Sequence, residues 1–187
     1  MALKLITEAS ALAITVAEAK EQAHVDTSDM DTRINAYILA ATKMAEQATG
    51  RAIMSQTWEL TLDAFPSAFE LTRVPVAAVT SIQYVDFAGE VQLLSETLYA
   101  VDVADDYGRA YVVPVYAGCW PNTRDQVNAV ALRYTAGYAN AAAVPESIKL
   151  WIAAMVTTMI DNPASVDSKQ AYELGYVDRL LDPYKVW

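Results

Sequence analysis

Two residue types on which much enzyme chemistry depends are almost missing from this chain, because its 187 residues include one cysteine and one histidine. A single cysteine excludes an internal disulfide framework and fits a reducing compartment. His24 and Cys119 stand in no motif that would pair a nucleophile with a base. We interpret His24 as a helix C-terminal residue favoured by the helix dipole, and Cys119 as an ordinary small residue of a loop.

Glycine is also scarce, and the six glycines do not cluster as a phosphate-binding loop requires. Acidic residues are plentiful, but their clusters lack the alternating spacing and distal glutamate of a calcium loop. We interpret one cluster as helix N-terminal charge and the other as a solvated turn. These clusters are Asp26, Asp29 and Asp31, and Asp102, Asp105 and Asp106. The sequence therefore predicts no catalytic group, no cofactor and no metal.

Positive charge is the third deficit, since 13 basic residues face 23 acidic ones for a net charge of −10. A protein that grips nucleic acid needs a basic surface for the phosphates, so this balance argues against that class. The apolar run Leu150 to Ile160 is too short to span a bilayer. Residues 1–20 lack a convincing signal-peptide cleavage pattern, and we expect them to belong to the mature protein.

The hydrophobic pattern has a helical period at both ends of the chain. Thr15 and Glu18 form a capping box that predicts a short helix, and Gly50 is the natural stop of the next one. The second helix has a stripe of Ile34, Tyr37, Ile38, Ala41, Met44, Ala45 and Ala48. After Pro145 a third helix presents Ile148, Trp151, Ile152, Met155, Val156 and Met159. A last short helix is predicted around Val177, Leu180 and Leu181, ended by Pro183.

In the middle of the chain the period changes to two, which is typical of strands. "VTSIQYVDF" and "VQLL" flank a predicted hairpin turn around Gly89, and "VNAVALRYTAGY" alternates apolar and polar residues. The turn spacing indicates five to seven strands. We therefore predict an α+β fold, a small bundle of N- and C-terminal helices with an inserted antiparallel β domain. The expected parts are residues 1–51 (helical), 52–143 (β domain) and 144–187 (helical, with a tail).

Two tryptophans lie where core packing does not account for them, Trp120 in a loop and Trp187 at the end of "RLLDPYKVW". Exposed aromatic residues in such places favour a partner surface. For the tail an alternative stays open, in which Trp187 folds back and caps the helical core of its own subunit.

Three stretches together resemble the head-to-tail connector (adaptor) proteins of tailed bacteriophages, in the larger version that carries a β insert. The first, Val16 to Pro66, contains a helix, a Val-Asp step, a second helix ending in Thr-Gly-Arg, and then Gln-Thr-Trp-Glu-Leu. The second, Trp120 to Lys149, contains Trp-Pro, Asn-Ala-Val, Ala-Gly-Tyr and Val-Pro-x-x-Ile-Lys. The third is the ending "VDRLLDPYKVW". Val127 and Ala139 depart from the family's usual proline and glycine.

The resemblance implies a non-enzymatic structural protein of the virion neck, made in the host bacterial cytoplasm. Its relatives form a ring, expected to be dodecameric, that docks on the portal, extends the DNA channel and offers a platform to tail, stopper or terminator proteins. DNA would pass during packaging and ejection without specific binding, and no membrane is involved. The implied portal-docking residues are Leu180, Leu181, Pro183, Tyr184, Lys185, Val186 and Trp187, and the loop interface candidates are Trp120 and Arg124.

The sequence leaves two other hypotheses about the function open. One is a different neck or tail ring, such as a tail terminator or completion protein. The other is a small acidic enzyme or ligand-binding domain, with its site at Cys119 or at the turn Asp102 to Asp106.

Overall fold

The computed structural model describes residues 1–103, 109–162 and 177–186. Helices and antiparallel sheets are both present, so the predicted α+β class with an inserted β domain is confirmed. The chain divides into two compact units. The β unit comprises Met1–Ala9 and Ser55–Tyr138, and the helical unit comprises Ser10–Met54 and Ala139–Trp187.

The β unit contains two antiparallel sheets in the described residues. Its strands are β1 (Ala2–Thr7), β2 (Gln56–Leu62), β3 (Phe69–Leu71), β4 (Val76–Val85), β5 (Val91–Leu93), β6 (Tyr99–Asp102), β7 (Ala110–Pro114) and β8 (Val130–Ala136). The five-stranded sheet has the order β1-β2-β8-β4-β5, and the three-stranded sheet has the order β3-β7-β6. The hairpin predicted around Gly89 joins β4 to β5, and Gly89 has the positive φ of 91° that favours glycine.

Strand β8 lies at the centre of the larger sheet, between β2 and β4. Its burial alternates as the sequence predicted, with Val130, Leu132 and Tyr134 in the core. The Tyr134 hydroxyl accepts a hydrogen bond from the backbone N–H of Arg73 at 3.3 Å. Burial raises the pKa of Tyr134, so this phenol stays neutral and serves as a core hydrogen-bond acceptor.

The helical unit contains α1 (Val16–Ala23), α2 (Asp31–Thr49) and α3 (Glu146–Asp161). The predicted capping box of Thr15 and Glu18 starts α1, and Gly50 ends α2 with a φ of 74°. Most of the predicted stripes are buried, and the buried residues are Ile34, Ile38, Ala41, Ala45 and Thr49 on α2, and Ile148, Trp151, Ile152, Ala153 and Val156 on α3. Among the described residues, no helix is long and apolar enough to cross a membrane.

The N-terminal strand is the main difference from the sequence expectation. The sequence pattern predicts a helical part over residues 1–51, but Ala2–Thr7 is a strand that pairs with β2 and forms one edge of the larger sheet. The signal for it was Leu3 and Leu5, which are half-buried and alternate with the exposed Lys4. Two leucines in six residues are too short a pattern to distinguish a strand from an irregular segment.

The end of the chain also differs from its prediction. In place of one short helix, two 3₁₀ turns follow each other, Asp178–Leu180 and Asp182–Tyr184. Pro183 was expected to end a helix, but it lies in the first positions of the second turn. Proline is compatible with the start of a helical turn because the N–H it lacks has no partner there.

Candidate docking surfaces

The C-terminal segment, residues 177–186, packs against its own helical unit. Val177 and Leu181 are each only 2% exposed. The backbone N–H of Val186 donates to the carbonyl oxygen of Thr49 at 2.9 Å. A Cβ added to Gly50 would lie 3.6 Å from the Cβ of Val186, so the segment approaches the end of α2 closely.

Both the backbone carbonyl and the side-chain hydroxyl of Tyr184 accept hydrogen bonds. The Nε of Arg51 donates to the Tyr184 carbonyl oxygen at 2.6 Å, and the Oγ of Ser147 donates to the phenol oxygen at 3.1 Å. The guanidinium carbon of Arg51 lies 5.9 Å from the centre of the ring, within the range of a cation–π contact. Arg51 itself is buried. These contacts make Tyr184 part of the helical unit, and the residue as a whole is half-exposed.

The predicted docking residues therefore separate by accessibility. Leu181 is enclosed in its own unit, whereas Pro183 is exposed and Leu180, Tyr184, Lys185 and Val186 are half-exposed. Lys185 pairs with Asp182 at 2.7 Å, which keeps the lysine on the outer side of the last turn. Trp187 lies outside the described residues. The surface that a partner can reach is thus the outer side of residues 179–186, which we call the tail surface.

Trp120, predicted as a loop interface residue, packs within the β unit. Its ring stacks on Phe65 with the centroids 5.0 Å apart and meets Phe69 edge-on at 5.4 Å. Phe65 in turn contacts Tyr84 at 5.7 Å. The indole nitrogen of Trp120 is buried and has no hydrogen-bond partner among the described residues. Trp120 is therefore half-buried in an aromatic cluster. The members of this cluster lie far apart in the sequence, so the sequence pattern did not indicate it.

Arg124, the second loop candidate, stays exposed. Its backbone N–H donates to the carbonyl oxygen of Val85 at 3.0 Å, which ties the loop to the end of β4. Its guanidinium lies over Gly89, where an added Cβ would collide with it. Arg124 thus covers the hairpin turn and leaves its charge accessible.

The residues considered for an enzyme site can be placed one by one, as far as they lie in the described part of the chain. His24 ends α1 in a left-handed conformation with a φ of 53°, as expected for a helix C-terminal residue. Cys119 is exposed, and it belongs with Asp102 to the β unit. Asp105 and Asp106 lie outside the described residues. In the described part of the chain, no group of three or more His, Cys, Asp or Glu side chains could hold a metal ion.

An open groove of the helical unit lies along α1. It is lined by Val16, Ala17, Lys20, Glu21, His24, Val25, Asp26 and Asp31. Lys20 and Asp31 form an ion pair across it at 2.9 Å, so two of the charges that a ligand would contact already satisfy each other. This groove supports no chemical assignment.

Comparison with solved structures finds the same fold in other chains, three of which come from virus-like particles. The chain superposes on a chain in the neck of an empty gene transfer agent (GTA) particle computed with C6 symmetry, with a TM-score of 0.82 and 22% identity, and on one in the virion of a native GTA particle, with a TM-score of 0.80 and 21% identity. A third match, in the neck of a native GTA particle computed with C12 symmetry, has a TM-score of 0.76 and 23% identity. Each covers all of this chain and 96% of the other.

At these identities the likeness is one of fold. No protein-family model matches the chain, and no curated protein matches it. The molecule is thus an α+β protein that shares its fold with chains from GTA particles.

Proposed function

We propose that this chain is a structural protein of the neck of a tailed virus-like particle, a head-to-tail connector that forms a ring and docks on the portal. The observation that carries the proposal is the fold shared over the full chain with chains of GTA necks. The resemblance of three stretches to connector proteins supports the same role independently. The proposed role is non-enzymatic, and the virion neck is its proposed location.

The ring is supported by the symmetry of the structures that share the fold, which were computed with C6 and C12 symmetry. A closed ring needs lateral surfaces that are repeated by rotation, and it needs no catalytic pocket. We propose a dodecamer. Its net charge of −10 per subunit disfavours contact with the phosphates of DNA, so DNA would move through the channel without binding.

The tail surface is the proposed contact with the portal. Because Leu181, Tyr184 and Val186 also hold the helical unit together, removing the whole tail would mix loss of docking with loss of folding. A charge reversal at the half-exposed Lys185 avoids this problem. The exposed Arg33 offers a matched charge reversal on α2 of the same unit.

The test is capture of this protein by the portal protein of the same particle. Lys185→Glu is expected to weaken capture at least tenfold, and Arg33→Glu is expected to leave it unchanged. Deletion of residues 183–187 is informative where capture survives it, because the deletion also removes the contacts of Tyr184 and Val186 with the helical unit. Circular dichroism of each variant monitors folding. Undiminished capture after the deletion would refute docking through the tail, and capture by a tail protein in place of the portal would favour a terminator or completion protein.

A further inference from the structure

Strand β5 forms an open edge of the larger sheet in the described residues, with β4 as its neighbour on one side. The backbone N–H of Leu94 donates to Ile82 at 2.8 Å, and that of Asp86 donates to Glu90 at 3.0 Å. In an antiparallel pair the bonded positions alternate, so the even-numbered residues face β4. The N–H and C=O groups of Val91 and Leu93 therefore point away from the sheet.

This edge is also apolar. Val91 is 65% exposed, Leu93 is 69% exposed, and Phe87 in the adjoining turn is 72% exposed. Natural edge strands avoid pairing with other chains by being very short or by carrying lysine, proline or a bulge. The three residues of β5 include no lysine and no proline, so this edge is protected by its shortness alone. A strand with free backbone groups and exposed apolar side chains is suited to pair with another strand.

The opposite edge of the same sheet is β1, whose pairing with β2 is regular from Ala2 to Leu5 and shifts in register between Leu5 and Thr7. Ala2, Lys4 and Ile6 are exposed on it. The β4–β5 turn carries the carboxylates of Asp86 and Glu90 and has the guanidinium of Arg124 over Gly89, whereas Lys4 places a positive charge on the β1 edge. Both edges therefore expose apolar side chains beside charged ones.

The strand directions decide which symmetry would bring these edges together. Each neighbouring pair in the order β1-β2-β8-β4-β5 is antiparallel, so β1 and β5 run in the same direction. Rotation about a ring axis keeps that direction from one copy to the next, whereas a twofold axis would bring β5 against β5. We propose that β5 of each copy pairs in parallel with β1 of the next copy, which continues the sheet across the subunit boundary. This inference rests on the ring of the proposed function.

Proline at position 91 tests the pairing without disturbing the fold. An edge strand accepts proline where the N–H faces away from the sheet, so Val91→Pro removes an outward donor and leaves the β4 ladder in place. Val91→Thr is the matched control, because it keeps the N–H and the β-branched shape. Rings on the portal, counted in negative-stain micrographs, are expected to fall at least tenfold for Val91→Pro and to persist for Val91→Thr.

Cysteine cross-linking identifies the strands that meet. In a Cys119→Ser background, Leu93→Cys is combined in turn with Ala2→Cys, Lys4→Cys or Ile6→Cys, and the full chain is mildly oxidised. At least one combination is expected to give a ladder of covalent oligomers longer than dimers, because each copy offers both edges. Each single-cysteine variant is the control and is expected to stay monomeric.

The outcomes separate this inference from the proposed function. Dimers from Leu93→Cys alone would indicate a twofold β5 contact and overturn the proposal. Intact rings of Val91→Pro, with no cross-linked ladder, would also overturn it while leaving the ring and its portal docking in place. Absence of rings from the unmodified protein together with its portal would refute the proposed function itself.

Discussion

At the residue scale, Thr15 and Glu18 show how a sequence motif fixes the start of a helix. The Oε2 of Glu18 accepts from the backbone N–H of Thr15 at 2.6 Å, and the Glu18 N–H donates to the Thr15 hydroxyl at 3.1 Å. Loss of such a cap costs about 1 kcal/mol. We therefore expect Thr15→Ala to lower the free energy of unfolding by about that amount in urea, with Thr15→Ser as a nearly neutral control.

The same pair predicts the sign of a pH dependence. The backbone hydrogen bond from Thr15, followed by its side-chain hydrogen bond, lowers the pKa of Glu18 below its ordinary value of 4.5. A lowered carboxyl pKa stabilises the fold above the unfolded value, and this contribution is lost as the pH falls through the folded value. Glu18→Gln removes the carboxylate that both hydrogen bonds favour, so the stability difference between the unmodified protein and Glu18→Gln should shrink below pH 4.5. A difference independent of pH would contradict the assignment.

Leu181 and Lys185 provide a second residue-scale prediction, because neighbouring positions of the tail have different roles. Leu181 is 2% exposed, so Leu181→Ala is expected to lower the free energy of unfolding by about 2–5 kcal/mol. Lys185 makes a surface ion pair with Asp182, and such pairs contribute at most about 1 kcal/mol. Urea unfolding of Leu181→Ala and of Lys185→Ala measures the two changes in the free energy of unfolding. Equal stability of the two variants would show that the tail is not packed as described.

At the scale of elements, long and regular patterns were predictable and contacts between distant segments were not. The stripe of α2, the alternation of β8 and the β4–β5 hairpin follow from local sequence. Strand β1 depends on β2, its partner some fifty residues further along the chain. The sequence pattern showed no packing partner for Trp120, because Phe65 and Phe69, which cover its ring, lie in a distant segment. A local pattern shows which residues are apolar, but not which surface covers them.

At the scale of the whole molecule, the segment Ser10–Met54 of the helical unit interrupts the chain of the β unit. Thr7 lies opposite Thr57 in the β1–β2 pair, so the segment Ser10–Met54 leaves and re-enters the β unit beside the same pair of strands. Hairpin loops of two to five residues are common, and a short turn is thus sufficient to replace that segment. The β unit has its own core, which includes Leu60, Ile82, Leu132 and Tyr134. The short connection and the separate core predict that the β unit folds without the helical unit.

A chain that joins residues 1–9 to residues 55–138 through an Asn-Gly turn tests this prediction. We expect cooperative urea unfolding and a dispersed amide NMR spectrum, because β1 then covers β2 as it does in the full chain. The matched control is residues 55–138 alone, which leaves the backbone of β2 open and removes Leu3 and Leu5 from the sheet. That fragment should unfold at lower urea and aggregate more readily, since an uncovered edge pairs with other chains. Equal behaviour of the two chains would mean that β1 adds nothing to the β unit.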